Sequence, residues 1–248
     1  MAQKIFKAPD SLRNSDPTGF CPGCGHGIAG RLGFEVLDEK GLLEKSIFVD
    51  DVACDSLFMW SMDTDGIITA HGRAIATACG VKRVRQDNPV WAYVGDGATY
   101  SIGLQHTIWA AARNENITVV VINNGVFGMT GGQMAPTTLI GQKTTSSPAG
   151  RSKERQGEPL DVTKLYTGMD IAYLARGSLD SVANINKTKS YLRKAFEKQM
   201  NHEGFSLVEI LSPCPTNWGL SPHDAMMRIR NEVQKVYPIG EYIERGVK

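Results

Sequence analysis

In the stretch "GFCPGCGHGIAG", Cys21 and Cys24 are separated by only a Pro-Gly pair. That spacing suits a redox dithiol, half of a zinc site or half of an iron–sulfur site. Cys54 and Cys214 follow strand-like runs far along the chain. A dithiol needs only the close pair and leaves these two unexplained. Four thiolates are the usual ligands of a 4Fe–4S cluster, and zinc accepts the same set. On the residues alone, cluster, zinc and dithiol all stay open. Cys79, in "AIATACGVK", falls within a helical apolar pattern and reads as a small buried hydrophobe.

A second constellation lies in "VWAYVGDGATYSIGLQHTIWAAARNENITVVVINNGVFGMTGGQ". This is a strand, a glycine turn, a helix, a strand and another glycine-rich turn. Asp96 and Asn124 each stand just past a strand end of one βαβ unit, so their side chains can converge. A carboxylate, an amide oxygen and a nearby carbonyl form a partial shell for Mg²⁺, which takes six oxygens at about 2.1 Å and draws the rest from water and phosphate. Gly95, Gly97 and Gly125 permit close backbone approach and positive φ. A helix starting near Ser101 would aim its N–H groups at an anion. The chemistry is that of a bound diphosphate neutralised by Mg²⁺. His26, just after the cysteine turn, is a candidate for the reacting centre as well as for a structural role; His106 and His223 read as structural.

Positioning such groups takes a scaffold. Apolar β-branched runs alternate with helical periodicity, the pattern of an α/β fold with a mostly parallel open sheet and helices on both faces. The predicted strands are "SIFVD", "VWAYV", "ITVVVIN", "MDIAYLA" and "FSLVEIL". Predicted helices run from about Gly27 to Asp38, Arg73 to Arg85, Ile102 to Arg113 and Val182 to Gln199. A last one follows Ser221 as N-cap, with Pro222 at its first position. Ligands in such sheets bind at the carboxyl ends of the strands. Four predicted strand ends carry Cys54, Gly95-Asp96-Gly97, Asn124-Gly125 and Cys214, which places all of them on one edge. "GQKTTSSPAGRSKERQGEP" reads as a long loop, either functional, mobile or merely connecting. With no internal repeat, residues 1–248 are expected to form a single domain to which the cysteine segments belong.

Composition narrows the class. Of 248 residues, 42% are hydrophobic and 21% charged, with a net charge of +1. Such a chain builds an ordinary core and presents no basic field for nucleic acid. No window approaches the ~20 apolar residues of a membrane helix. The opening "MAQKIFKAPDSLRNSDPTGF" lacks the apolar run of a signal peptide. The expectation is a cytoplasmic protein, in which an odd count of five cysteines favours ligand or redox chemistry over disulfides.

Gly-Asp-Gly followed by Asn-Asn-Gly after the next strand resembles the motif of thiamine diphosphate enzymes. With "CPGCGHG", "HGRA", "GDG…NNGVFGMTGGQ", "APTT" and "SPCPTNWG" in order, most of the chain resembles the β subunit of 2-oxoacid:ferredoxin oxidoreductases. The resemblance implies the diphosphate-domain, thiamine diphosphate-binding fold. It also implies CoA-dependent oxidative decarboxylation of a 2-oxoacid to acyl-CoA and CO2, with electrons passed to ferredoxin. By resemblance, Asp96, Asn124 and the Val126 carbonyl hold Mg²⁺. His71, Gly72 and Arg73 lie beside the cofactor, as do Gly95, Gly97, Gly128, Met129 and Thr130. Cys21, Cys24, Cys54 and Cys214 match the four ligands of a 4Fe–4S cluster, and a cluster beside a carbanion predicts oxygen sensitivity.

No glutamate can be assigned to the aminopyrimidine, and no ferredoxin-like run of cysteines is present. The resemblance therefore implies an α subunit carrying the pyrimidine domain and a small ferredoxin-like subunit, in a heteromer paired about a twofold. Some relatives using 2-oxoglutarate resemble one another in carrying a lysine in "GxTxGQ", where this chain has Gly131. Losing that cation leans toward a branched-chain substrate such as 2-oxoisovalerate. Phe127, Met129 and Met134 fit an apolar pocket or simple core packing. The rival readings are a 2-oxoglutarate-specific subunit, a non-redox thiamine diphosphate decarboxylase or synthase, and a zinc-bound structural subunit. The last accounts for the cysteines but not for Asp96 and Asn124.

Overall fold

The computed structural model describes residues 8–10, 12 and 18–246; most of the polar N-terminal stretch lies outside the described residues. Among the described residues there are nine strands: β1 (Ile47–Asp51), β2 (Asp65–Thr69), β3 (Val90–Gly95), β4 (Thr118–Asn123), β5 (Val126–Phe127), β6 (Gln133–Met134), β7 (Tyr173–Ser178), β8 (Ser206–Leu211) and β9 (Gly240–Glu244). Seven of them form one sheet in the order β2-β1-β3-β4-β8-β7-β9, and β5 pairs with β6 in a small hairpin. Every pairing in the large sheet is parallel except β7 with β9.

Side-chain alternation along the central strands explains the layering. Trp91, Tyr93, Val120 and Ile122 join the core beneath α1 (His26–Glu39) and a long helix at Val182–Met200. Val90, Ala92, Val94, Val119 and Val121 join the core beneath α2 (Ala74–Val84) and α3 (Leu104–Ala112). Both faces are covered, so the strands read as continuous apolar runs instead of alternating ones. Trp91 is fully buried, its ring centroid 4.9 Å from Phe48, 5.2 Å from Phe34 and 5.7 Å from Phe196. Such aromatic clusters contribute beyond their area burial.

Departures from the expected elements have physical reasons. β7 starts at Tyr173 and runs to Ser178, later than "MDIAYLA", because Arg176 is buried there by ion pairs to Glu209 and Asp161. A charged residue in a central strand hides the apolar signal. β2 and β9 are edge strands with exposed positions and little periodicity. A π-turn at Ala98–Ile102 precedes α3, so the chain coils widely directly after Gly97. Such turns cluster at functional sites. The long loop carries one short helix on its course, α4 (Lys153–Gln156), and a second, α5 (Val162–Tyr166), lies just beyond it. The long helix at Val182–Met200 is α6, followed by α7 (Pro215–Trp218) and α8 (Pro222–Arg228). Ser221 caps α8 by accepting the Asp224 N–H, as expected. Among the described residues no helix is long and apolar enough to cross a membrane.

Candidate active site

β1, β3, β4 and β8 are consecutive neighbours and parallel, so their carboxyl ends share one edge. A cleft opens there, lined by His26, Ala53, Cys54, Asp55, His71, Gly95, Asp96, Gly97, Ala98, Asn124, Val126, Phe127, Gly128 and Met129. Eleven of these are residues singled out from the sequence: His26, Cys54, His71, Gly95, Asp96, Gly97, Asn124, Val126, Phe127, Gly128 and Met129.

Asp96 and Asn124 are buried side by side at the ends of β3 and β4. Asp96 Oδ2 accepts the Gly125 N–H at 3.0 Å and the Thr137 hydroxyl. Burial pushes the Asp96 carboxyl up to about 7, against the lowering effect of Thr137 and of the Gly97 and Gly125 N–H groups. Asn124 Oδ1 accepts the Val126 N–H at 3.1 Å, and the Asn124 carbonyl accepts the Trp218 indole N–H at 3.1 Å. A buried carboxylate bonded only to neutral donors, beside an amide oxygen and a backbone carbonyl, is a donor set that suits Mg²⁺. Of the three glycines in the turns, only Gly125 takes positive φ, at 67°. Space over the Gly95 Cα is open, whereas the position of a Gly97 side chain is filled by the Phe127 ring.

The four cysteines converge on the same edge by packing of their segments. Gly25 N donates to Pro213 O at 3.3 Å, and a Cβ on Gly25 would meet Pro213 at 2.8 Å. The cysteine turn thus lies directly on the segment that carries Cys214. Asn217, in α7, points Nδ2 at Cys214 Sγ and at Gly128 O, each 3.3 Å away. A Cβ on Gly128 would stand 3.2 Å from Cys54 Sγ. Burial, then the mutual charge of the neighbouring thiols, pushes Cys24 up to about 11 and Cys54 to about 12. Cys214 is raised by burial, and Asn217 works against that. Cys21 is exposed. Thiols clustered in this way ionise when a cationic centre binds them. Cys79 lies apart, in the α2–α3 core. Among the described residues no Cys, His, Asp or Glu trio is close enough to grip a single metal ion.

Two histidines line the cleft with different support. His26 stacks on Phe20 with ring centroids 5.5 Å apart. The Tyr93 hydroxyl donates to His26 O at 3.0 Å, so it accepts from His26 Nδ1 at 3.1 Å, which leaves Nε2 as the acceptor nitrogen. Burial lowers His26 to about 4, holding it neutral. His71 Nδ1 lies 3.3 Å from Asp51 Oδ1, while Asp51 Oδ2 accepts the Gly72 N–H at 2.7 Å. Asp51 therefore fixes the "HGR" turn. Arg73 turns back to the Gly72 carbonyl at 3.2 Å, and Thr130 bonds Gln133 at 2.6 Å, so neither lines the cleft. His106, His223 and Met134 also stand outside it.

A model of the thiamine pyrophosphate enzyme C-terminal TPP binding domain matches residues 52–210. The chain is 34% identical over 219 residues to 2-oxoglutarate synthase subunit KorB of Archaeoglobus fulgidus, covering 88% of this chain and 78% of that one. The chain belongs to the thiamine diphosphate-binding subunits of the 2-oxoacid:ferredoxin oxidoreductases. Within this family it is also 37% identical over 258 residues to ketoisovalerate oxidoreductase subunit VorA of Methanothermobacter thermautotrophicus, and it spans about half, 54%, of that relative's length. The solved 2-oxoglutarate:ferredoxin oxidoreductase from Magnetococcus marinus, with 2-oxoglutarate, coenzyme A and succinyl-CoA bound, aligns with a TM-score of 0.76 at 26% identity, over 99% of this chain and 87% of that one. The family's sheet and its covering helices are the ones expected from the alternating pattern.

Sequence reasoning missed Asp51, Thr137 and Asn217. Asp51 ends β1, a position the strand-end rule could have flagged. Thr137 and Asn217 sit inside "APTT" and "SPCPTNWG", but their partners are 41 and 89 residues away, a separation without periodic signal.

Proposed function

We propose that this chain is the catalytic subunit of a CoA-acylating 2-oxoacid:ferredoxin oxidoreductase acting on a branched-chain 2-oxoacid such as 2-oxoisovalerate. Thiamine diphosphate, when bound, supplies the electron sink for decarboxylation. Asp96, Asn124 and the Val126 carbonyl hold its Mg²⁺, the N–H groups after Gly97 face its diphosphate, and His71 stands beside it. Cys21, Cys24, Cys54 and Cys214 hold a 4Fe–4S cluster that takes electrons onward to ferredoxin.

One observation carries this reading: the thiol group and the Asp96–Asn124 pair share one sheet edge, with Cys54 lining the same cleft as Asp96. The redox role favours a cluster over zinc: zinc accepts the same thiolates but cannot carry electrons away from the cofactor, whereas an iron–sulfur cluster can.

The substrate reading rests on charge. No lysine or arginine lines the cleft, and Gly131 has φ 108°, where a side chain would be strained. Among the described residues lining the cleft, a second carboxylate would meet no cation. The 2-oxoglutarate reading is favoured by the names of several relatives, and a partner subunit could supply the charge it needs. An α subunit with the pyrimidine domain, a small ferredoxin-like subunit and a cytoplasmic setting complete the proposal.

The test is an anaerobic assay of the co-expressed subunits with CoA, ferredoxin and a panel of 2-oxoacids. The expected result is ferredoxin reduction with kcat/KM for 2-oxoisovalerate above that for 2-oxoglutarate. The reverse preference would overturn the substrate; decarboxylation without ferredoxin reduction would overturn the redox role.

A further inference from the structure

The long loop between Gly141 and Pro159 has no role that its composition reveals, yet it closes on itself around a single buried cation. Arg151 is 5% exposed. Its Nη1 donates to Pro136 O at 2.7 Å and Thr138 O at 2.8 Å, its Nη2 to Glu158 O at 2.8 Å, and its Nε to Gly157 O at 3.1 Å. All of these acceptors are backbone carbonyls. The backbone around it is tied as well: Gly141 N donates to Arg151 O at 2.8 Å and Arg151 N to Gln142 O at 3.0 Å.

The carbonyls on Nη1 flank Thr137, the residue whose hydroxyl donates to Asp96 Oδ2. Its neighbour Thr138 donates to Gly125 O at 2.6 Å, and the Tyr237 hydroxyl donates to Thr137 O at 2.9 Å from the opposite side. The segment 135–138 is therefore a shelf under Asp96 and Gly125, held by Arg151 on one side and Tyr237 on the other. A planar guanidinium presents donors along both edges and can bridge the shelf to the loop; a lysine is a point donor and cannot.

The geometry points to Thr137 as a positioning residue for the Asp96 carboxylate, itself set by the Arg151 clamp, so that the long loop serves the cation site at the cofactor diphosphate. The inference rests on the reading of Asp96 as a Mg²⁺ ligand. Outer partners of metal ligands orient them and tune their basicity. Thr137 and the Gly125 N–H both bond Oδ2 of Asp96, and Asp96 lines the same cleft as Asn124 and Val126.

The test uses this chain assembled with its partner subunit, stripped of metal and saturated with thiamine diphosphate. Mn²⁺ binding is read by electron paramagnetic resonance, and the unfolding midpoint is recorded beside it. Thr137→Val, nearly isosteric, and Arg151→Lys should each weaken Mn²⁺ binding by about 10–100-fold, the range for loss of an outer partner. Thr137→Ser should restore it. The double variant should bind no more weakly than the worse single one, because the two residues act in series. Wild-type affinity in Thr137→Val would overturn the inference, as would a lowered unfolding midpoint with unchanged affinity in Arg151→Lys, or fully additive losses. If Arg151→Lys fails to assemble, Thr137→Val and Thr137→Ser still decide the matter. Wild-type complex that binds no Mn²⁺ at all would instead contradict the reading of Asp96, and the inference with it.

Discussion

The Asn217 amide nitrogen lies 3.3 Å from the Cys214 sulfur and 3.3 Å from the Gly128 carbonyl oxygen. One side chain thereby joins the thiol group to the loop at Gly128 that lines the cleft. An N–H aimed at a thiolate stabilises its charge, and hydrogen bonds to sulfur raise the potential of an iron–sulfur centre. Asn217→Ala should shift the cluster midpoint to lower potential in an anaerobic redox titration, with iron content retained. An unchanged midpoint would leave Asn217 with packing alone.

In the proposed Mg²⁺ donor set Asp96 is the charged member. Asp96→Asn keeps its size and removes its charge, so cation-dependent cofactor binding should fall by about 100-fold or more, beyond the loss caused by an outer partner. Far-ultraviolet circular dichroism should not change. The measurement is a Mg²⁺ titration in the presence of thiamine diphosphate.

Stability should depend on Asp50. This carboxyl is fully buried and neither oxygen has a hydrogen-bond partner. Burial, then the neighbouring Asp51 charge, raises it from 3.8 to about 8. The folded chain thus keeps a proton that the unfolded chain releases above pH 4. That contribution is fully present below the unfolded value and is lost as pH rises through 8. Asp51 and Asp55, also raised mainly by burial, slope the same way. Asp50→Asn should flatten the decline and add more than about 1 kcal/mol at pH 8, read from urea midpoints at pH 6 and pH 8.

Arg176 is the cation in a buried cluster with Glu209 and Asp161, and Tyr237 lies under its guanidinium at 5.1 Å. Glu209 in turn accepts the Asn123 amide at 3.0 Å, next to Asn124. Arg176→Met leaves Glu209 buried without its partner and should cost about 3–5 kcal/mol. Chemical denaturation measures it. Arg176→Met/Glu209→Leu should recover much of the loss, because the more deeply buried of the two carboxylates left unpaired is then gone.

Much of the site was legible because its residues follow a rule of position. Cys54, Asp96, Asn124 and Cys214 each follow a strand of the apolar kind, and parallel pairing brings those ends together. The cysteine turn was legible from spacing alone. Arg176 shows the limit: its charge masked the C-terminal half of β7, which the predicted run ending at Ala175 left out. Edge strands β2 and β9 lack the burial that creates a pattern. Thr137, Arg151 and Asn217 act through side-chain hydrogen bonds to other segments, and no period or composition marks such bonds. The "HGR" turn was noticed, but the Asp51 carboxylate that fixes it was not.

The central claim is that a redox cluster sits beside the thiamine site, and metal content tests it most directly. This chain, purified anaerobically with its partner subunit, is assayed for iron, acid-labile sulfide and zinc, with an absorption spectrum taken on the same sample. The account predicts a brown protein with about four irons and four sulfides per chain, and loss of that iron in Cys54→Ala. A colourless protein with one zinc per chain and no iron would contradict it.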